Sequence, residues 1–288
     1  MTYPTLPTAL GILLLASNTI VPAATPDSTA ADHHRRGVEF HLQRRLDEAS
    51  RDYARALAAD PAREPSLAER ETIFRFAPRL AVTPWEPFAL KDAAAVLHPE
   101  QRLVAYHLFW EDDIDFPDDN DPCDHEVVWI RFDENRSRVE AIWTYFHDHL
   151  VEGGPEALED ARRNGGRALV CVQWGKHGSM PFDWQRATSK GTHPPISLLE
   201  DNRRTWTRLS TDGRRSKDNP LAKRLGWPDT FPGAFERFVD FTRPVDPVPL
   251  LQRERMLAVS RWNSAVIDQW FLAYNFRPKT EWPPGAVR

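Results

Sequence analysis

The stretch DDNDPCDHEVVWIRFD, residues 118–133, decides the fold because an acidic cluster runs directly into a β-strand pattern. Its second half, HEVVWIRFD, is rich in the β-branched and aromatic residues that are typical of strands. The similar runs LVAYHLFW, VEAIWTYFHDHL and RALVCVQWG are separated by clusters of Asp, Pro, Gly and Asn. The middle of the chain is therefore predicted to form an antiparallel β-sandwich.

Helical patterns flank this region on both sides. The segment GVEFHLQRRLDEASRDYARALAADP, residues 37–61, closely resembles one tetratricopeptide repeat and predicts a helical hairpin over residues 33–63. One repeat cannot bury its own apolar face, so the hairpin is expected to dock on the rest of the chain or on a protein partner. A further helix is predicted after Ser66, its N-cap, and it ends near Pro78. Residues 253–276 repeat apolar side chains at helical spacing, which predicts an amphipathic helix packed on the sandwich.

These patterns together predict an α+β protein that is mainly β. The predicted divisions are a signal peptide at 1–24, a helical part at 25–80, the β-sandwich at 81–250 and a C-terminal helix at 251–288. Within the sandwich part, residues 181–195 and 203–232 are predicted to be rich in loops, with a turn at Asp212-Gly213.

The first 24 residues have an apolar run that ends in small residues, which predicts an exported protein, secreted or periplasmic. That run is too short for a comfortable membrane span, and no other part of the chain is predicted to cross a bilayer. In an oxidising compartment the two cysteines, Cys123 and Cys171, could form one disulfide. The alternatives are that Cys123 is a metal ligand and that Cys171 is a buried free thiol.

Charge is unevenly distributed along the chain. The net charge is −5, and residues 111–126 hold nine acids and no Lys or Arg, so the remainder carries about +4. That remainder is not basic enough to predict a nucleic-acid partner. The chain also contains 11 Trp. An exposed Trp184 or Trp206 could line a surface for a glycan or a lipid.

The acidic segment offers the carboxylate oxygens that Ca²⁺ and Mg²⁺ prefer, so these cations are expected rather than Zn²⁺. Because side chains alternate along a strand, Asp124 and Glu126 point to one face and His125 to the other. The competing interpretation is a solvated acidic loop. Two histidines, His147 and His149, lie two residues apart, a spacing that would suit Zn²⁺ or Cu²⁺ on a strand.

The segment CDHEVVWI, residues 123–130, resembles the core HDWExVVVW around the heptapeptide motif GHRHDWE of the necrosis- and ethylene-inducing-peptide-like (NLP) proteins. A second segment, VQWGKHGSM, is similar to the SxHG strand end of that family. The resemblance spans roughly residues 103–180, with Cys123 and His125 replacing the second His and the Trp of the motif. It implies a β-sandwich with a loop-mounted divalent-cation site, which in that family docks membrane sphingolipid headgroups. Aligned on the motif, the implied metal ligands are Asp113, Asp121, Asp124 and Glu126, with His177 near the site.

Three functions remain open at this point. The first is a secreted protein that docks a polar glycan or lipid headgroup through a bound cation. The second is a metal-dependent hydrolase in which His177 carries protons, His107 is a ligand or proton carrier, and Lys176 stabilises developing negative charge. The third is a protein-interaction module that works through its helical hairpin.

Overall fold

The structure is a computed structural model that describes residues 28–116, 123–189, 194–227, 231, 233–253, 255–259, 262–272 and 282–283. The predicted signal peptide at 1–24 and the predicted ligand Asp121 lie outside these residues. The described helices are α1 (Ala30–Leu42), α2 (Leu46–Ala59), α3 (Leu67–Phe76), α4 (Pro155–Arg163), α5 (Leu198–Arg215), α6 (Pro220–Arg224), α7 (Val248–Leu251) and α8 (Asn263–Phe271), with a 3₁₀ helix at Phe235–Val239. The strands are β1 (Arg79–Val82), β2 (Leu90–Leu97), β3 (Leu103–Trp110), β4 (Asp124–Phe132), β5 (Val139–Phe146), β6 (His149–Glu152), β7 (Leu169–Val172), β8 (Ser179–Pro181), β9 (Arg243–Val245) and β10 (Met256–Ala258).

The strands form two mostly antiparallel sheets, which confirms the predicted α+β class. One sheet has six strands in the order β10-β2-β3-β4-β5-β6, and only β10 and β2 within it are parallel. The other has four strands in the order β8-β7-β1-β9, with β1 and β7 parallel. All eight residues of β3 are buried, which explains why its sequence is apolar throughout rather than alternating.

Side chains from both sheets meet in one hydrophobic core. Leu80 of β1 and Val170 of β7 belong to the same buried cluster as Leu108, Val128 and Ile142 of the six-stranded sheet. Two sheets that share one core have a sandwich-like arrangement. Helix α3 covers one end of this core, where Phe76 stacks on Phe132 with ring centroids 5.1 Å apart.

The predicted N-terminal helical hairpin is present as α1 and α2. Thr29 caps α1 through a capping box with Asp32, and Asp52 of α2 accepts hydrogen bonds from Arg36 of α1. The hairpin docks on the chain itself, because Ala49 and Tyr53 of α2 pack in one cluster with Ala265 of α8 and with Leu272. Ser66 caps α3 as predicted, and the helix ends before Pro78.

Replacing Gly37 with alanine is expected to destabilise the protein by about 1–3 kcal/mol, although alanine is the better helix former. A Cβ atom at this position would lie 2.6 Å from two ring carbons of Tyr53, so α1 and α2 would have to separate. Urea denaturation measures the loss. In a Tyr53→Leu background the same substitution should cost much less, and an equal cost in both backgrounds would contradict this explanation.

The sequence predictions for the later helices are partly wrong. The segment 203–232, predicted to be rich in loops, contains most of α5 and all of α6. The predicted turn at Asp212-Gly213 lies inside α5, where Gly213 is required because a Cβ would lie 2.2 Å from the Trp227 ring. The predicted C-terminal helix is present as α8, but it begins only at Asn263, because Met256–Ala258 form strand β10 instead. That helix contacts the hairpin as well as the main core, in which Val266 and Ile267 lie.

Candidate functional site

A buried histidine held between two carboxylates forms the centre of the site. His177 lies in the loop that joins β7 to β8, with a left-handed backbone at φ 55°. Its Nδ1 is 2.9 Å from Asp124 Oδ2, and its Nε2 is 3.1 Å from Glu86 Oε1. The side chain of His177 has no exposed surface. The loop therefore carries this imidazole into the interior and engages both of its nitrogens.

Two aromatic rings pack against the imidazole. Trp110 at the end of β3 stacks on the His177 ring with centroids 4.5 Å apart and planes at 4°. Phe88 meets the same ring edge-on at 5.8 Å. The ring is thus fixed in one orientation, with its two nitrogens aimed at Asp124 and Glu86.

The two carboxylates keep this histidine charged. Burial alone lowers the pKa of an imidazole, but the charges of Glu86 and Asp124 and their hydrogen bonds raise the pKa of His177 to about 10. At neutral pH both ring nitrogens therefore donate hydrogen bonds. Both nitrogens of this imidazolium are hydrogen-bonded and the ring has no exposed surface, so neither nitrogen is available for a substrate. This geometry does not favour the predicted role of His177 as proton carrier.

Glu86 was not recognised in the sequence, although it is central to the site. Besides His177, it accepts hydrogen bonds from the backbone N–H groups of Gly175 (2.9 Å) and Phe88 (3.1 Å). It lies in a loop between two prolines, Pro84 and Pro87, and no motif marks it there. Its partner, His177, lies in the β7–β8 loop some ninety residues later in the chain, so the contact exists only in the folded protein.

The predicted ligand Asp113 lies next to this centre and binds Lys176. The Lys176 ammonium donates to Asp113 Oδ2 and is 3.8 Å from Asp115 Oδ1. Among the described residues, the other carboxylate oxygen, Asp113 Oδ1, is buried and has no hydrogen-bond partner. Burial raises the pKa of Asp113 to about 6, with Lys176 opposing the shift and the charge of Asp124 adding to it. Asp113 is thus a buried carboxyl group whose negative charge is incompletely compensated.

Glu126 shares a strand face with Asp124, as the period of two predicts. In the register of β3 and β4, Trp110 lies opposite Asp124 and Leu108 lies opposite Glu126. Both acids therefore face the side of the sheet from which Trp110 reaches His177. Glu126 is only 5% exposed, so it is not part of a solvated acidic loop.

The opposite face of the same strands carries a separate histidine pair. His107 Nδ1 and His125 Nε2 are 2.9 Å apart, and both side chains are buried. The His125 ring stacks on Phe109 with centroids 4.5 Å apart. The structure therefore separates His107, predicted as a ligand or proton carrier, from Asp124 by the thickness of the sheet.

Several other predicted positions are corrected by the structure. Trp184 and Trp206 are 3% and 9% exposed and pack in hydrophobic clusters, so neither lines a surface. Cys123 and Cys171 are buried free thiols rather than a disulfide. Burial raises the pKa of each thiol to about 12, which disfavours the thiolate that a metal ligand requires.

The tight β5–β6 hairpin borders the site. Its two turn residues, His147 and Asp148, have φ angles of 45° and 64°, as a type I′ turn requires. The predicted strand spacing of His147 and His149 is therefore wrong, because His147 lies in the turn. His147 Nε2 donates instead to the side-chain oxygen of Gln173, and the Gln173 backbone carbonyl accepts from the N–H of His177. Gln173 thus links this hairpin to the loop that carries His177.

Comparisons with protein-family models, with curated proteins and with solved structures find no match to this chain. The resemblances to NLP proteins and to a tetratricopeptide repeat therefore stay predictions. Within the described residues, no group of three or more His, Cys, Asp or Glu side chains is arranged to hold a metal ion. No described helix is long and apolar enough to cross a membrane.

Proposed function

We propose that this protein binds a divalent cation, Ca²⁺ or Mg²⁺, at the carboxylates of Asp113 and Asp124, with Glu126 beside them. The bound cation would dock a polar glycan or lipid headgroup. The observation that carries the proposal is the buried Asp113 Oδ1, which has no hydrogen-bond partner among the described residues. A buried carboxylate oxygen in that state is costly unless a cation or a donor reaches it.

The local charge supports the same conclusion. The carboxyl groups in and next to the site are Glu86, Asp112, Asp113, Asp115, Asp124 and Glu126. They outnumber the basic groups whose charges act there, namely Lys176, His177, Lys91 and Arg224. Carboxylate oxygens in excess are the donor set that hard divalent cations prefer.

Lys176 has a defined part in this proposal. Its ammonium group binds Asp113 Oδ2 and lies near Asp115 Oδ1. It therefore occupies part of the space from which a metal ion would contact these two carboxylate oxygens. A divalent cation would therefore compete with the Lys176 side chain for Asp113. This competition is consistent with the absence of a preformed metal group among the described residues.

The other two functions have less support. A hydrolase would need a proton carrier with a nitrogen free for the substrate, and both ring nitrogens of His177 are bonded. The interaction module has less support because Ala49 and Tyr53 of α2, which a partner would otherwise cover, pack in one cluster with Ala265 of α8. The secreted or periplasmic location stays a prediction from the first 24 residues.

The function is tested by sedimentation with vesicles of phosphatidylcholine, with and without a glycosphingolipid. We expect the protein to sediment with the glycolipid vesicles in Ca²⁺ or Mg²⁺ and to stay in solution with a chelator. Asp113→Asn should weaken this binding by about tenfold or more, because it removes a charged ligand.

The matched control is Glu111→Gln, which removes a nearby, exposed acid that pairs with Arg224 instead. It should bind vesicles as the wild type does. Binding that survives the chelator, or that falls equally in both variants, would contradict a role for the cation. An array of soluble glycans distinguishes a sugar ligand from a lipid surface.

A further inference from the structure

A polar pocket lies between the tip of the β5–β6 hairpin and the outer face of α5. Its volume is about 350 Å³, and its lining residues are His147, Asp201, Arg204, Thr205 and Arg208. The four α5 positions are spaced i, i+3, i+4 and i+7, so they form one stripe along the helix. The sequence predicts loops over residues 203–232, which include most of this stripe, so the helical spacing is visible only in the structure.

Packing on the opposite face holds this stripe in place. Leu198, Asn202, Trp206 and Leu209 of α5 are buried, and Asn202 Nδ2 lies 3.2 Å from the sulfur of Met180 in β8. The other wall is equally fixed, because the side chain of Gln173 accepts a hydrogen bond from His147 Nε2. The pocket is therefore formed by side chains on two rigid elements rather than by a loose loop.

The lining carries a net positive charge. Arg204 donates to Asp201 at 2.6 Å, and this pair leaves part of the Arg204 guanidinium available. Arg208 is exposed on the same stripe, and Thr205 adds a hydroxyl group. Two guanidinium groups against one carboxylate, with the hydroxyl group of Thr205 as a further donor, are suited to the oxygens of a tetrahedral dianion.

We propose that this pocket binds a phosphate monoester, with Arg208 and Arg204 contacting the phosphate and His147 at the inner wall. A volume of about 350 Å³ leaves room for the group to which the phosphate is attached. A soluble metabolite and a lipid headgroup with a phosphate monoester both present this dianion. The proposal is independent of the cation site, because phosphate binding is expected with a chelator present.

The test is isothermal titration of glycerol phosphate into the full chain at constant ionic strength, with a chelator, and sedimentation with phosphatidylcholine vesicles containing phosphatidic acid. Arg208→Gln should weaken binding by about tenfold or more, because it removes a charge-assisted contact. Asp201→Asn should strengthen binding, because it removes the one carboxylate of the lining. Arg214→Gln, an exposed arginine near the end of the same helix, is the control and should leave binding unchanged.

Binding of glycerol phosphate that depends on Arg208 would identify a soluble ligand. Arg208-dependent binding of the phosphatidic acid vesicles alone would identify a lipid headgroup. If neither probe binds, or if Arg214→Gln weakens binding as much as Arg208→Gln, the pocket is not a phosphate site. The circular dichroism spectrum of each variant checks that it is folded.

Discussion

Replacing His177 with alanine is expected to destabilise the protein by about 3–5 kcal/mol at neutral pH, measured by urea denaturation. The substitution leaves Glu86 and Asp124 facing each other without the imidazolium that separates them. It also opens a cavity between Trp110 and Phe88, which contact the ring from two sides. A loss below about 1 kcal/mol would show that this buried charge network contributes little.

A double-mutant cycle separates the charge effect from the cavity effect. In a Glu86→Gln background one of the two carboxylates is already neutral, so His177→Ala should cost clearly less than in the wild type. An equal cost in both backgrounds would assign the whole effect to the lost packing against Trp110 and Phe88.

The pH dependence of stability should report the same histidine. The pKa of His177 rises from 6.5 to about 10 on folding, so the native state holds this proton more tightly than the unfolded state does. Its contribution is therefore fully present below about pH 6.5 and is lost as the pH rises through 10. The wild-type free energy of unfolding should fall across that interval relative to that of His177→Ala. Parallel pH profiles would contradict a raised pKa.

Replacing Lys176 with glutamine is expected to make the stability of the protein depend strongly on divalent cations. Without a cation the variant should lose about 1–3 kcal/mol, because Asp113 keeps its buried carboxylate but loses its ammonium partner. With Ca²⁺ or Mg²⁺ at a concentration about a hundred times the Kd, about 2.7 kcal/mol should be regained. Thermal unfolding with and without the cation measures both effects.

Two control variants make this result specific. Lys176→Arg keeps the positive charge beside Asp113 and should respond to cations no more than the wild type. Lys223→Gln removes an exposed lysine of α6 and should match the wild type both without and with the cation. If neither cation changes the unfolding temperature of Lys176→Gln, the proposed competition between Lys176 and the metal is contradicted.

The parts of the fold that depend on local pattern were predictable from the sequence. Alternation along CDHEVVWI placed Asp124 and Glu126 on one face and His125 on the other, and the register of β3 and β4 agrees. The cap at Ser66 marked the start of α3 because a Ser followed three residues later by Glu is a local signal.

The parts that depend on tertiary contact were not predictable. In the sequence alone, Gly213 after Asp212 is typical of a turn. In the structure Gly213 lies within α5, where its missing side chain lets the Trp227 ring pack closely against the helix. Glu86 gives no local signal, since its role exists only when His177 arrives from a distant hairpin loop. Trp184 and Trp206 are buried for the same reason, because tertiary packing and not the local sequence decides whether a ring is covered.

We propose above that the carboxylates of Asp113 and Asp124 bind a divalent cation. The most direct measurement is calorimetric titration of Ca²⁺ and Mg²⁺ into the purified wild-type chain, with Asp113→Asn alongside. We predict one cation per chain in the wild type, with binding weakened by at least about tenfold in Asp113→Asn. The absence of any saturable cation binding in a folded wild-type chain, or equal binding in the two proteins, would contradict the claim.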